Sequence, residues 1–425
     1  MTDPVRAQYE AYPYPPRDPR DEAKRLIEGY PSHLLEINHY IYAGRRDFSR
    51  PFRALVAGGG TGDGTIMLAQ HLADRGGPAE IVYLDVSSAA RRIAGARAAA
   101  RGLANIRFLT GSLADLPRLD LGVFDYIDCC GVLHHLADPT AGLAALTSVL
   151  AEDGGMGLML YGVLGRTGVY HVQAMLGMLT PAAEPPAARL DFARRLLRQL
   201  PATNWLARNP AVADHLQAGD AGLHDLLLHA RDRAFTVPDI AALVAEAGLE
   251  IVAFIEPWRY APESYLTDGA LLKRIQTLGP LARAAFAELL AGNLKTHVLY
   301  VVRKGRADSA TARPDGREAV PIMRRGDGPD LARGLKPGIA LTVRIDGIVA
   351  RFALPRRSAP ILAQIDGRRS VGEIHGELAA VEAGRLDWPS FKAEFDRLYG
   401  VLNGLNRMFL AFPAGAALPI PRPGM

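Results

Sequence analysis

Ala54-Leu-Val-Ala-Gly-Gly-Gly-Thr-Gly-Asp-Gly-Thr65 is the stretch whose reading decides the fold of this chain. Ala54 to Ala57 are four apolar residues, enough for a short strand buried on both faces. Gly58, Gly59, Gly60, Gly62 and Gly64 then permit a tight turn through backbone conformations that side chains forbid. Beyond the turn, Ile66, Ala69, Gln70 and Ala73 recur at helical spacing, and Gly76-Gly77-Pro78 ends the helix. Strand, glycine turn and helix predict a site where a ligand approaches bare backbone at a helix N-terminus.

Outward from this unit, strands and helices alternate. Glu80–Asp85 predicts a second strand ending on an acid, Ser88–Ala100 a helix, and Ile106–Leu109 a third strand. Phe124–Cys130 is a fourth strand, leading into Gly131-Val-Leu-His-His-Leu136. Thr140–Leu150 reads as a helix closed by a turn at Asp153-Gly-Gly155, with a fifth strand at Met156–Tyr161. Gly162 to Asp232 breaks the pattern with a long, helix-rich insertion punctuated by prolines; such insertions are usually functional. The alternation resumes with a helix capped by Thr236 and strands at Glu250–Ile255 and His297–Arg303. The fold class is α/β with a mainly parallel sheet covered on both faces.

The flanks differ in character. Residues 1–50 form an arm and a helix: Tyr9-Glu-Ala-Tyr-Pro-Tyr-Pro-Pro-Arg-Asp-Pro19 predicts an extended aromatic arm, either packed on the core or serving as a lid. His33, Glu36 and His39 share the helix after it at three-residue steps, a spacing more usual for a surface face than for a site. Residues 51–304 are the α/β domain, 305–319 a polar linker, and 320–413 a small, separate α+β module. In that module Ile339–Ile345 and Ile348–Phe352 predict a hairpin around Asp346-Gly347, followed by three helices, a last strand and a winged-helix character.

At 425 residues, 49% hydrophobic and 22% charged, the composition is that of a globular protein without a transmembrane run. The first 22 residues are charged and proline-rich, unlike a secretory signal. Cys129 and Cys130, adjacent in an apolar strand, offer no disulfide framework and no metal spacing, so a cytoplasmic setting without a structural metal or membrane partner is expected. Net charge is only +4, yet Arg303 to Arg369 holds fifteen Lys/Arg against seven Asp/Glu. Such a segment is more often a solvated face than a nucleic-acid surface, so nucleic acid is not the expected partner.

The turn's spacing selects its ligand. Glycines at positions one, three and six, as a dinucleotide fingerprint requires, are not found there, and no lysine follows Gly64 as in a P-loop. Gly58, Gly60 and Gly62 remain, with Asp85 closing the next strand 23 residues after Gly62, where a carboxylate can meet both hydroxyls of a ribose. That combination suits an adenosine ligand without a pyrophosphate.

On these residues the sequence resembles the class I S-adenosylmethionine-dependent methyltransferases over about Tyr9 to Lys304. The carriers are Gly58-Gly-Gly-Thr-Gly62, Tyr83-Leu-Asp85, Phe124-Asp-Tyr-Ile-Asp128, Gly131-Val-Leu-His-His-Leu136 and Asp153-Gly-Gly155. The Tyr12-Pro-Tyr-Pro15 arm is similar to that of bacterial members with an N-terminal extension. The resemblance implies a Rossmann-like sheet of seven strands, the last antiparallel between the fifth and sixth. It also implies S-adenosyl-L-methionine as cofactor, held by Gly58, Gly59, Gly60, Thr61, Gly62, Asp85, Val86, Ser112, Leu113, Cys130 and Gly131. Two positions depart from the family pattern: Val56 stands where many members carry an acid, and Ser112, with Asp115 three residues on, follows the third strand in place of another.

Methyl transfer from a sulfonium is an in-line displacement in which the protein aligns the nucleophile and, for a protonated one, removes a proton. His134, beyond the fourth strand, is the first candidate base; His135 and Tyr161 border the same crevice, and a helix-capping role for the His pair is equally open. The acceptor is expected to be a small molecule or a protein, bound by the insertion and the tyrosine arm. A cofactor-binding regulatory protein with a degenerate site is the alternative, and an RNA methyltransferase a further one. The module's Ile365-Asp-Gly-Arg-Arg-Ser-Val-Gly-Glu-Ile374 resembles peptide-binding modules related to the coenzyme-PQQ chaperone, which implies a peptide or protein partner there.

Overall fold

The computed structural model describes residues 4–181, 184–335 and 340–413. Its centre is a seven-stranded sheet: β1 (Phe52–Ala57), β2 (Ala79–Asp85), β3 (Ile106–Thr110), β4 (Phe124–Cys130), β5 (Leu150–Tyr161), β6 (Leu249–Phe254) and β7 (Thr296–Arg303). The spatial order is β3-β2-β1-β4-β5-β7-β6, with β7 antiparallel to both neighbours and the other pairs parallel. The sheet is as the resemblance implied. Its central strands are buried on both faces, which is why Ala54–Ala57 and Ile81–Leu84 read as unbroken apolar runs.

The helices begin at α1 (Pro4–Ala11), α2 (Leu34–Ile41), α3 (Asp63–Ala73), α4 (Ser88–Ala100) and α5 (Pro139–Ser148). The insertion contributes α6 (Val169–Leu179), α7 (Pro186–Leu197), α8 (Asp214–Gln217) and α9 (Gly219–Leu227), and then α10 (Val237–Glu246) returns to the sheet. Several starts have a local cause. Ser87 accepts from the Ala90 amide, Asp138 from Ala141, and Thr236 with Asp239 forms a capping box. The insertion buries its own small core, including Val169, Val172, Leu190, Leu223 and Leu226.

Three differences from the sequence reading matter for the site. Strand β5 starts at Leu150, so Asp153-Gly-Gly155 lies inside a strand and not in a turn. The glycines serve close packing: a Cβ at Gly155 would stand 2.7 Å from Ile41, and one at Gly154 2.8 Å from the Asp125 carbonyl. The arm is not extended throughout, because Tyr9 lies on α1. The face of α2 is not a surface: His33, Glu36 and His39 are all buried.

That last difference comes from the C-terminal region. Strands β8 (Val320–Met323) and β11 (Met408–Ala411), between which β9 (Leu341–Ile345) and β10 (Ile348–Phe352) lie in the chain, pair antiparallel, and their residues Val320, Ile322, Phe409 and Ala411 share one apolar cluster with α2. The His39 Nδ1 accepts from the Leu410 amide at 3.1 Å, and Arg324 pairs with Glu36 at 2.8 Å. Residues 305–319 run along α2, where the Ala43 amide donates to the Ala310 carbonyl and the Ala312 amide to that of His39. The hairpin is observed at Leu341–Ile345 and Ile348–Phe352; the predicted first residue, Ile339, lies outside the described residues. Helices at Ser358–Ala363, Val371–Val381 and Trp388–Gly404 complete this α+β part around a core of its own.

Candidate active site

The glycine turn leaves β1 and enters α3 with Gly58 at φ +78°, Gly60 at +51° and Gly62 at +103°. These are left-handed conformations that L side chains rarely adopt. Space forbids side chains as well: a Cβ on Gly58 would lie 2.2 Å from Val132, and one on Gly59 2.3 Å from the Tyr83 ring. Asp85, at the end of β2, faces the turn. Its Oδ2 accepts from the Gly60 amide and its Oδ1 from Ser87, each at 2.8 Å. Burial raises its pKa while these two amides oppose the shift. The carboxylate is thereby fixed over bare backbone, which fits a ribose edge-on to the turn. Val86 and the α4 N-terminus follow directly, and Ser112 with Asp115 forms a capping box on the 3₁₀ turn Leu113–Arg118.

The acid missing at Val56 has a counterpart that sequence alone does not show. Asp128 of β4 sits in register beside Val56, and its carboxylate comes within 2.7 Å of where a Gly64 Cβ would be, under the first turn of α3. The Ser32 hydroxyl donates to it, and burial pushes its pKa up to about 7.

The arm crosses this turn. The Tyr9 carbonyl accepts from the Ser87 hydroxyl, and Glu10 takes the Ser88 and Ala89 amides at the start of α4. The Thr61 hydroxyl donates to the Pro15 carbonyl, and Arg17 pairs with Asp63. Glu22, wholly buried, is held by Arg97 and Arg101, and Arg97 also reaches Asp63 and the Thr61 carbonyl.

Beyond β4 and β5 lies a cage of rings and carboxylates. His134 is fully buried, stacked on Tyr161 with centroids 3.8 Å apart, and neither of its nitrogens has a hydrogen-bond partner among the described residues. Burial lowers its pKa well below the usual histidine value, so it has little proton affinity to offer as a base. His135 donates from Nδ1 to the Arg231 carbonyl at 2.8 Å, and burial lowers its pKa to about 4. Cys130 and Gly131 close β4 beneath them, the Gly131 amide bonding to the Met159 carbonyl. Cys129 and Cys130 are free thiols whose pKa burial raises, unsuited to covalent attack.

The group that the sequence did not single out is Asp225, from α9. The Tyr9 hydroxyl donates to its Oδ1 at 3.0 Å and Tyr161 to its Oδ2 at 3.3 Å, and burial pushes its pKa up to about 6. His229 joins the chain. Its Nδ1 accepts from the Arg231 amide at 3.0 Å, so the neutral ring carries its proton on Nε2 and donates to the Tyr9 oxygen at 3.2 Å. His135, Asp225 and His229 lie close enough to suggest a metal site. The two rings, however, stack at 3.7 Å and 16°, which keeps their in-plane lone pairs in nearly parallel planes, and the His229 Nε2 is the protonated nitrogen that donates to Tyr9. Asp225 and His229 are instead linked through the Tyr9 hydroxyl, while His135 bonds to the Arg231 carbonyl. Arg166 lies over the Tyr161 ring at 3.7 Å and pairs with Asp232 at 2.8 Å, completing the cage. The signal for Asp225 was present in His224-Asp225, His229 and Asp232, but only the fold of the insertion brings them to β5.

A doubly wound sheet in this order, reversed at β7 and carrying its glycine turn between β1 and α3, is the class I fold of S-adenosylmethionine-dependent methyltransferases, and this chain belongs to that family. The family model described as a methyltransferase domain matches residues 55–156. Among curated proteins the chain is similar to an uncharacterised protein of Synechococcus, 31% identical over 296 residues that cover 68% of this chain and 69% of that one. Among solved structures it is similar to PKMT2 from Rickettsia typhi: TM-score 0.60, 13% identity, 90% of this chain and 75% of that one covered. The same protein in complex with AdoHcy gives a TM-score of 0.63 at 12% identity, with 90% and 76% covered. At these identities the structural likeness is one of fold.

Proposed function

We propose that the chain binds S-adenosylmethionine along Gly58–Gly62 with the ribose toward Asp85, and methylates a small-molecule or protein nucleophile that carries a removable proton. The single observation that carries this reading is the geometry of Asp85 over the turn: a buried carboxylate held by the Gly60 and Ser87 amides, beside glycines whose own side-chain positions are closed. Asp128 beside Val56 argues against a degenerate site, since an acid is retained at the mouth of α3. The cofactor, when bound, supplies the electrophilic methyl group.

The chain's own residues do the rest. Cys130, Gly131 and the Ser112–Leu113 turn would flank the adenosine end, and the Tyr9–Pro15 segment, bonded to Ser87 and Thr61, would cover it. Asp225 receives the acceptor's proton, directly or through the Tyr9 or Tyr161 hydroxyl, because it alone in the cage combines ionisation near neutrality with two donors that hold it in place. His134 and His135 serve as walls stacked around Tyr161. Incubation with methyl-labelled cofactor and a cell extract, split into protein, RNA and small-molecule fractions, tests this. Label is expected in the protein or small-molecule fraction; label in RNA alone, or in none, contradicts it.

A further inference from the structure

Beside the cage, a cleft of about 410 Å³ opens between α6, α7 and the segment that follows α9. That volume lies within the ordinary range for a small-molecule site. Leu176 and Leu227 give it an apolar wall, and Arg189 and Arg231 line it as well. Among the described residues neither arginine has an ion-pair partner, and the Arg189 Nε is buried with no hydrogen bond at all. The one acid lining the cleft, Asp232, is already paired through its Oδ2, which accepts from Arg166 at 2.8 Å and from the Gln173 amide at 3.0 Å, while its Oδ1 has no partner among the described residues. Two guanidinium groups without an ion pair therefore line the cleft with one carboxylate that Arg166 already neutralises.

Leaving a guanidinium N–H dry and unpaired is costly, and an oxyanion that can accept two N–H bonds side by side is the group whose geometry satisfies it. We propose that this cleft binds an amphiphilic anion, a carboxylate or phosphate on an apolar body, and that this anion is one end of the methyl acceptor. The cleft shares Asp232 and His229 with the cage around Asp225, so an acceptor anchored at Arg189 and Arg231 has its other end beside the proton-accepting carboxylate. This inference rests on the methyltransferase reading for the word acceptor, but not for the binding itself.

The test is calorimetry on the full chain, with and without S-adenosylhomocysteine, using octanoate, octyl phosphate and octylammonium as probes. At least one of the two anions is expected to bind, with octylammonium at least about tenfold weaker. Arg189→Gln and Arg231→Gln should each weaken the anion about tenfold or more, the loss expected for a charged hydrogen bond. Both variants should bind S-adenosylhomocysteine as the wild type does, which also shows that they are folded. Octanoate and octyl phosphate separate a carboxylate site from one that needs a phosphate. Equal binding of octylammonium, or anion affinity unchanged in both variants, overturns the proposal. Failure of S-adenosylhomocysteine alone to bind would instead overturn the methyltransferase reading.

Discussion

Replacing Glu22 with Gln tests whether the arm is an ordered part of the site. Glu22 is buried, with Arg97 at 2.7 Å and Arg101 bound to the same carboxylate, and Arg97 is itself 1% exposed. Removing one member of a buried pair typically costs about 3–5 kcal/mol, because the partner charge stays buried. Arg97 keeps Asp63 at 2.6 Å and the Thr61 carbonyl at 2.8 Å, which puts the expected cost near the lower end, about 3 kcal/mol. The chain can avoid that cost by releasing the arm and hydrating Arg97. The loss should therefore appear as local opening: about a hundredfold faster amide exchange in Val5–Ala11, with the central strands little changed. Affinity for S-adenosylmethionine should fall with it, since the arm bonds to Ser87, Ser88 and Thr61 around the turn. Asp21, which pairs with Lys24 at the surface, is the control; Asp21→Ala should change neither readout. Unchanged exchange of the arm in Glu22→Gln would refute the reasoning.

Further predictions follow from the turn and its neighbours. Gly58→Ala combines a φ of +78° with a Cβ 2.2 Å from Val132, so cofactor binding should be lost, and Val132→Ala added to it should restore no more than part, because the backbone strain remains; calorimetry reads both. Asp225→Asn should leave cofactor affinity intact while removing turnover, and the wild-type rate should rise with pH through about 6 as Asp225 ionises; a rate flat from pH 5 to 8 would contradict its role as base. Asp128, with a folded pKa of about 7 against an ordinary value of 3.8, binds a proton in the folded state that the unfolded chain has already released. Its contribution to stability is therefore full below about pH 4 and declines as pH rises to 7. Asp128→Asn should flatten that decline in urea unfolding between those limits, and an unaltered slope would rule out the assignment.

Much of the fold was legible because its signals are local. A strand buried on both faces is a run of apolar residues, and a turn that needs positive φ declares its glycines; Ala54–Gly62 carries both. The sheet order followed from the family resemblance and not from periodicity. What stayed hidden depends on contacts distant in sequence. Glu36 and His39 look like a polar helix face until β8 and β11 cover them and supply Arg324 and the Leu410 amide. Asp153-Gly-Gly155 reads as a turn because glycine pairs usually are one, whereas here they admit Ile41 and the Asp125 carbonyl. Asp128 replaces the acid expected at Val56 through strand register, and Asp225 reaches Tyr9 across 216 residues. Ile365–Ile374 has a local structural role as well: Asp366 accepts from the Arg368 and Arg369 amides, and Ser370 with Glu373 caps the next helix.

The central claim is that Gly58–Gly62 and Asp85 hold S-adenosylmethionine. Titration of the wild type and of Asp85→Ala with this cofactor in a calorimeter tests it most directly. The account predicts one site per chain in the wild type and, in Asp85→Ala, an affinity lower by about tenfold or more, the loss of a charged hydrogen bond to the ribose. Absence of binding to the wild type at millimolar cofactor, or equal affinity in Asp85→Ala, would contradict it.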